Sequence, residues 1–206
     1  MNPLRTGFIG LFFLGILTGY AQNSIPKPPI HLLHVNELAF ARYTTVWVKQ
    51  DIDLKNHIRH EQLFNQLLPA HIKPRPESIT LLFDSLYLAS DPYRRAFLIN
   101  TTSDTVFVNR ADATLANVRT EVYVKNQWLV LQQDRGASCG NSYWKMPLPP
   151  NHHLVVQIEA LSGSVKVPYQ LIVKVNGKDV LSRPIMTDLN QPLLNLAGTV
   201  FSDPWK

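Results

Sequence analysis

One cysteine, Cys139, serves all 206 residues, so no internal disulfide can form. The chain also lacks Cys-x-x-Cys, His-Glu-x-x-His and any glycine-rich phosphate loop. Without them there is no sequence basis for dithiol redox chemistry, zinc proteolysis or nucleotide use. Carboxylate-based hydrolysis leaves no comparable signature and stays open. Charge is sparse as well: 17% of residues are charged, and a formal net charge of +5 is spread along the chain rather than gathered on one stretch. A dispersed excess of that kind serves solubility, and no nucleic-acid partner is expected from it.

With 45% hydrophobic residues the chain has ample material for a core. Residues 1–21 have the layout of a secretory signal. Arg5 supplies the positive start, residues 8–17 an apolar stretch, and Gly19-Tyr20-Ala21 a small-residue cleavage site before Gln22. The apolar stretch falls short of the ~20 residues that cross a bilayer, so an uncleaved anchor is the weaker reading. The expectation is a secreted or periplasmic protein with no transmembrane span once the signal is removed. No cysteine follows the signal to carry a lipid. About 185 residues then remain, the size of one ordinary domain.

Residues 22–76 read as an N-terminal extension. Pro26, Pro28 and Pro29 mark an extended lead-in, Thr44-Thr45-Val46-Trp47-Val48 has the composition of a strand, and Leu63, Phe64, Leu67 and Leu68 fall at helical spacing, which allows one short helix over residues 60–68. From Ile79 the pattern changes to short alternating runs separated by turns. Val118, Thr120, Val122 and Val124 alternate with Arg119, Glu121, Tyr123 and Lys125, and Val167, Tyr169, Leu171, Val173 and Val175 repeat every second residue. Asn126-Gln127 turns the first of these back into residues 128–132. Asn176-Gly177 suits the two positive-φ positions of a tight hairpin turn, with residues 180–185 as the return strand. Seven or eight such strands over residues 77–186, with no helix between them, point to an all-β, immunoglobulin-like antiparallel sandwich, with a small closed barrel as runner-up. Residues 187–206 read as a C-terminal tail that packs on the domain or on a partner.

The most distinctive local chemistry is the stretch around Cys139, where Gly136 and Gly140 flank Ser138, Cys139 and Asn141, and Tyr143 and Trp144 follow. Glycines and short polar side chains shape a loop, and two large rings can pin it to an apolar surface. Cys139 is then buried and inert, paired with another chain, or reactive. A nucleophilic Cys139 would need a base, for which His152 or His153 is available. The wording Ser-Cys-Gly-Asn-Ser-Tyr-Trp is similar to that of papain-like proteases, but no helical pattern follows the cysteine and too little chain remains for their distant histidine. A metal site could draw on the pairs His31/His34 and His57/His60, on Asp51 and Asp53, and on His152 and His153, although none of these spacings is diagnostic. As a binding surface, Cys139, Asn141, Tyr143 and Trp144 present the rigid anchors found at interface centres.

The Asn-Thr-Thr-Ser-Asp turn (residues 100–104), the Trp128 strand, Ser138-Cys139-Gly140-Asn141-Ser142 and the Leu-Pro-Pro-Asn run (residues 148–151) together resemble uncharacterised secreted bacterial β-sandwich proteins with a Cys-Gly-Asn-Ser motif. The resemblance covers residues 79–186 and implies export and a sandwich fold without implying an activity. The reading that results is a non-enzymatic binding or structural accessory protein of the cell envelope. It would meet an envelope or extracellular protein partner and need no cofactor. Metal binding is the alternative, and a cysteine-dependent enzyme is less favoured.

Overall fold

The computed structural model describes residues 41–48, 68–86, 91–137 and 142–201. Four strands come first, β1 (Tyr43–Thr44), β2 (Val46–Val48), β3 (Ile79–Phe83) and β4 (Tyr93–Asn100). The middle of the chain forms β5 (Val106–Ala111), β6 (Thr114–Leu115), β7 (Val118–Val124) and β8 (Gln127–Asp134). After the cysteine segment come β9 (Tyr143–Leu148), β10 (His152–Glu159), β11 (Val165–Val175), β12 (Lys178–Leu181) and β13 (Ile185–Leu189), then one short helix, α1 (Gln191–Asn195). The fold is all-β. The helix expected over residues 60–68 falls almost wholly outside the described residues.

Hydrogen bonding joins the strands into one mixed sheet in the order β1-β8-β7-β11-β5-β6-β2-β10-β4-β3, with β12 and β13 on β11 and β9 on β5. The side chains that alternate inward make a single apolar cluster. Leu81, Leu98, Leu154 and Val156 come from β3, β4 and β10, and Val122, Met146, Leu171 and Val173 from β7, β9 and β11. Each such side chain removed from water contributes roughly 1.5–3 kcal/mol, which is why the alternating stretches dictate the pairing. Tyr169 lies opposite Val122, and Val173 opposite Val118.

Several expectations change in detail. Among the described residues eleven strands, β3 to β13, begin within residues 77–186 where seven or eight were expected, because very short strands such as β6 carry too few residues to show a period. The pairing is not wholly antiparallel, since β1 runs parallel to β8. The strand expected at residues 44–48 divides at Thr45, with β1 on β8 and β2 on β10. Asn176 and Gly177 do take positive φ (48° and 77°), but the return strand ends at Leu181 and Pro184 precedes a separate strand, β13, on another part of β11. The turn after β7 sits one residue earlier than expected, with positive φ at Lys125 and Asn126.

Residues 187–201 of the C-terminal stretch pack on the domain itself. Asn190 caps α1 by accepting from Leu193 N–H at 2.8 Å, and Leu193 is fully buried. Arg42, 5% exposed, donates to the Thr199 hydroxyl at 2.6 Å and carbonyl at 3.1 Å and lies 3.8 Å from the Phe201 ring. This clasp ties residues 199–201 to the start of β1, and burial holds the guanidinium below its ordinary range.

Candidate functional site

Because the chain crosses between partners at Thr45, β1 with β8 and β2 with β6 diverge, and a groove of about 750 Å³ opens between them. Tyr43, Thr45 and Trp47 form one wall, the β5–β6 hairpin from Ala111 to Leu115 a second, and Gln133 to Ala137 with Ser142 the third. The volume lies in the range of small-ligand sites. Arg135, Gly136, Ala137 and Ser142, which line the groove, stand on either side of the cysteine segment in the chain.

The hairpin wall is held by Arg110, a fully buried cation. Its Nε donates to the Thr114 carbonyl at 2.9 Å, its Nη2 to the Asp112 carbonyl at 3.4 Å and its Nη1 to Met146 Sδ at 3.2 Å, while the Trp144 ring lies 5.0 Å away. A buried guanidinium persists only when its N–H groups find acceptors, and these bonds close the two-residue turn at Asp112 and Ala113. Asp112 N–H donates to the Ser142 carbonyl at 2.9 Å, which joins the hairpin tip to the start of β9.

On the third wall, Ala137 N–H donates to the Tyr143 hydroxyl at 2.8 Å, and that hydroxyl donates to the Ala137 carbonyl at 3.3 Å. Tyr143 thereby brings together the two ends of the cysteine segment. Gly136 has φ of 71°, which favours glycine, and a Cβ there would stand 2.8 Å from the same hydroxyl and push it aside. Asp134 accepts from Asn117 N–H at 3.0 Å. Burial raises its carboxyl above the ordinary range, although the N–H groups of Asn117, Asp134 itself and Val118 oppose the shift.

Of the residues singled out in the sequence, the described ones do not gather into one site. Cys139, Asn141, His31, His34, Asp51, Asp53, His57 and His60 lie outside the described residues. Tyr143 is 48% exposed, and Trp144 is half-buried against the core with its indole N–H donating to the Asp112 carbonyl at 3.3 Å. Both rings are thus engaged by the protein's own backbone. His152 and His153 are consecutive on β10 and project from opposite faces of it. Nδ1 of His152 donates to the Pro150 carbonyl at 2.6 Å, while His153 is 5% exposed with Phe97 at 5.9 Å, and burial together with neighbouring His152 pushes its pKa down. The two cannot ligate one ion from a regular strand. Among the described residues no group of three or more His, Cys, Asp or Glu side chains gathers in a metal-holding arrangement.

Two features escaped sequence reasoning. Residues 136–140 read Gly-Ala-Ser-Cys-Gly, which matches the Gly-x-Ser-x-Gly pattern of serine hydrolases. That motif needs a strand, a tight turn and a helix, whereas here β8 precedes it and β9 follows. The second is His71, whose Nε2 lies 2.8 Å from Asp84, with Arg95 at 3.6 Å from the same carboxylate. Burial alone would raise the Asp84 carboxyl. The Leu86 N–H, His71 and Arg95 outweigh it, and the group sits below its ordinary range. The pairing of β3 with β4 brings Asp84 to Arg95, and His71 reaches the same carboxylate from the stretch before β3, so no spacing could have revealed them.

Among the described residues no helix is long and apolar enough to cross a membrane. No family model, no curated protein and no solved structure matches the chain.

Proposed function

We propose that this is an exported, non-enzymatic binding protein of the cell envelope, built as an immunoglobulin-like sandwich and using the groove beside the cysteine segment. The groove carries this reading. It is of ligand size, its hairpin wall is fastened by Arg110 and its loop wall by Tyr143, so it is a preformed cleft rather than a collapsed seam. The charged start and apolar stretch of residues 1–21 support export. The sandwich is supported by the main core, to which β2, β3, β4 and β10 and also β7, β9 and β11 contribute, and by the crossing at Thr45, where one stretch of chain serves two sets of strands.

Hydrogen exchange of the purified protein with and without an extract of the native envelope tests the groove. Protection is expected together in residues 43–47, 111–115 and 133–137. Protection confined to β11 to β13, away from the groove, would sink the reading.

A further inference from the structure

We infer that the groove takes a neutral saccharide, with the Trp47 indole as its stacking plane; this rests on the groove being the binding site. Trp47 is half-buried on β2, opposite Thr114 of β6 and Gln157 of β10, and it is one of the residues that line the groove. Among the described residues the Trp47 indole N–H, the Gln133 amide and the Thr45 hydroxyl make no side-chain hydrogen bond, although all three line the cleft. They supply donors and acceptors beside a flat apolar plane.

Other ligand classes fit less well. An anion would find Arg135 but would also face Asp112 and Asp134, two carboxylates against one cation. A cation would find less than the two carboxylates suggest, because Asp134 already accepts backbone N–H groups, which leaves Asp112 as the groove carboxylate with no side-chain partner among the described residues. A wholly apolar ligand would strip water from the Gln133 amide and the Thr45 hydroxyl without replacing it. A sugar ring presents a C–H face suited to the indole and a rim of hydroxyls that both donate and accept, and so satisfies both kinds of wall at once. Discrimination would follow from the polar rim, since a site built to hydrogen-bond hydroxyls rejects ligands that lack them.

The test is calorimetric titration of the purified protein with cellohexaose, maltohexaose, xylohexaose and chitohexaose, with hexalysine and hexaglutamate as charged probes. At least one oligosaccharide is expected to bind saturably. Trp47→Ala should weaken it by about tenfold or more and Gln133→Ala by about threefold. Because Trp47→Ala could disturb β2, Trp47→Phe serves as the second variant: it keeps a plane, removes the N–H, and should fall between wild type and Trp47→Ala with the melting temperature unchanged. Trp47-dependent binding of either peptide in place of the sugars would overturn the ligand class and leave the groove reading standing. Sugar binding indifferent to Trp47 and Gln133 would overturn the site, and silence from every probe would overturn both.

Discussion

On β3, β4 and β10 the side chains that point away from the core include Leu82, Phe97, Ile99, His153 and Val155, and each of these five is at most 8% exposed. On β7 and β8 the outward positions hold Tyr123 and Trp128, which are 39% and 37% exposed and stack on each other at 5.4 Å. Both faces belong to strands that bury their other side in the same core, so the strand itself does not decide the difference. Ile72 and Leu68 lie across the first face, and His71 clasps Asp84 at its edge. The second face carries a ladder instead. Gln170 bonds Glu121, Arg119 bonds Glu121 and Asp179, and Lys174 bonds Asp179, all at 2.8–3.0 Å. An apolar outer face needs a cover, whereas a ladder of paired charges can remain in water.

Alanine substitution should separate the two faces most sharply. Phe97→Ala is expected to cost about 3–5 kcal/mol in denaturant unfolding, because it opens a cavity under residues 68–72. Tyr123→Ala should cost about 1 kcal/mol or less. Similar losses from both would mean that the first face is not a second core.

Asp84→Ala should cost about 1–3 kcal/mol, since it removes a largely buried acceptor from Leu86, His71 and Arg95. Hydrogen exchange would localise the damage, with residues 68–72 losing protection before β4 does. Uniform loss across the sheet would argue against a clasp.

The buried His153 makes the first face sensitive to acid in a way the ladder is not. Its pKa is lower in the folded protein than its unfolded value of about 6.5, so the unfolded chain binds the extra proton between those two values. Stability should therefore fall as the pH drops below about 6.5, and His153→Phe should flatten that decline between pH 7 and 5 in thermal melts. A decline unchanged by the substitution would assign it to other groups.

The smallest effect is expected on the ladder. Asp179→Asn should change stability by about 0–1 kcal/mol, with salt erasing most of the difference. Lys174 and Arg119 hold the Asp179 carboxyl below its ordinary range, so whatever the pair contributes is present above about pH 4 and lost as the pH falls through the lowered value.

Much of this comparison was already legible in the residues. Alternation over residues 118–124 and 165–175 announced strands with one polar face, and the ladder residues Arg119, Glu121 and Lys174 stand at the polar positions. The unbroken run Ala96-Phe97-Leu98-Ile99 lacks that alternation, which is how a strand buried on both sides reads, but nothing in it says what covers the second side. β9 is hard to read from the sequence, since its six residues include Pro147. A proline is tolerated there since β9 pairs with β5 at an edge. The groove was less legible still. Trp47, Asp112 and Gln133 stand far apart in the chain and meet only because Thr45 passes one stretch of chain between two sets of strands.

By itself, the sequence determined that the protein is all-β, where its longest strands run and where Asn176 and Gly177 must turn, because those features depend on side-chain period and on the local cost of positive φ. Only the tertiary structure decided which outer face is covered, which way His152 and His153 point, and that a cleft opens where β1 and β2 part. Those outcomes depend on which strands pair, and pairing is settled by burial summed over distant residues, a quantity no local stretch contains.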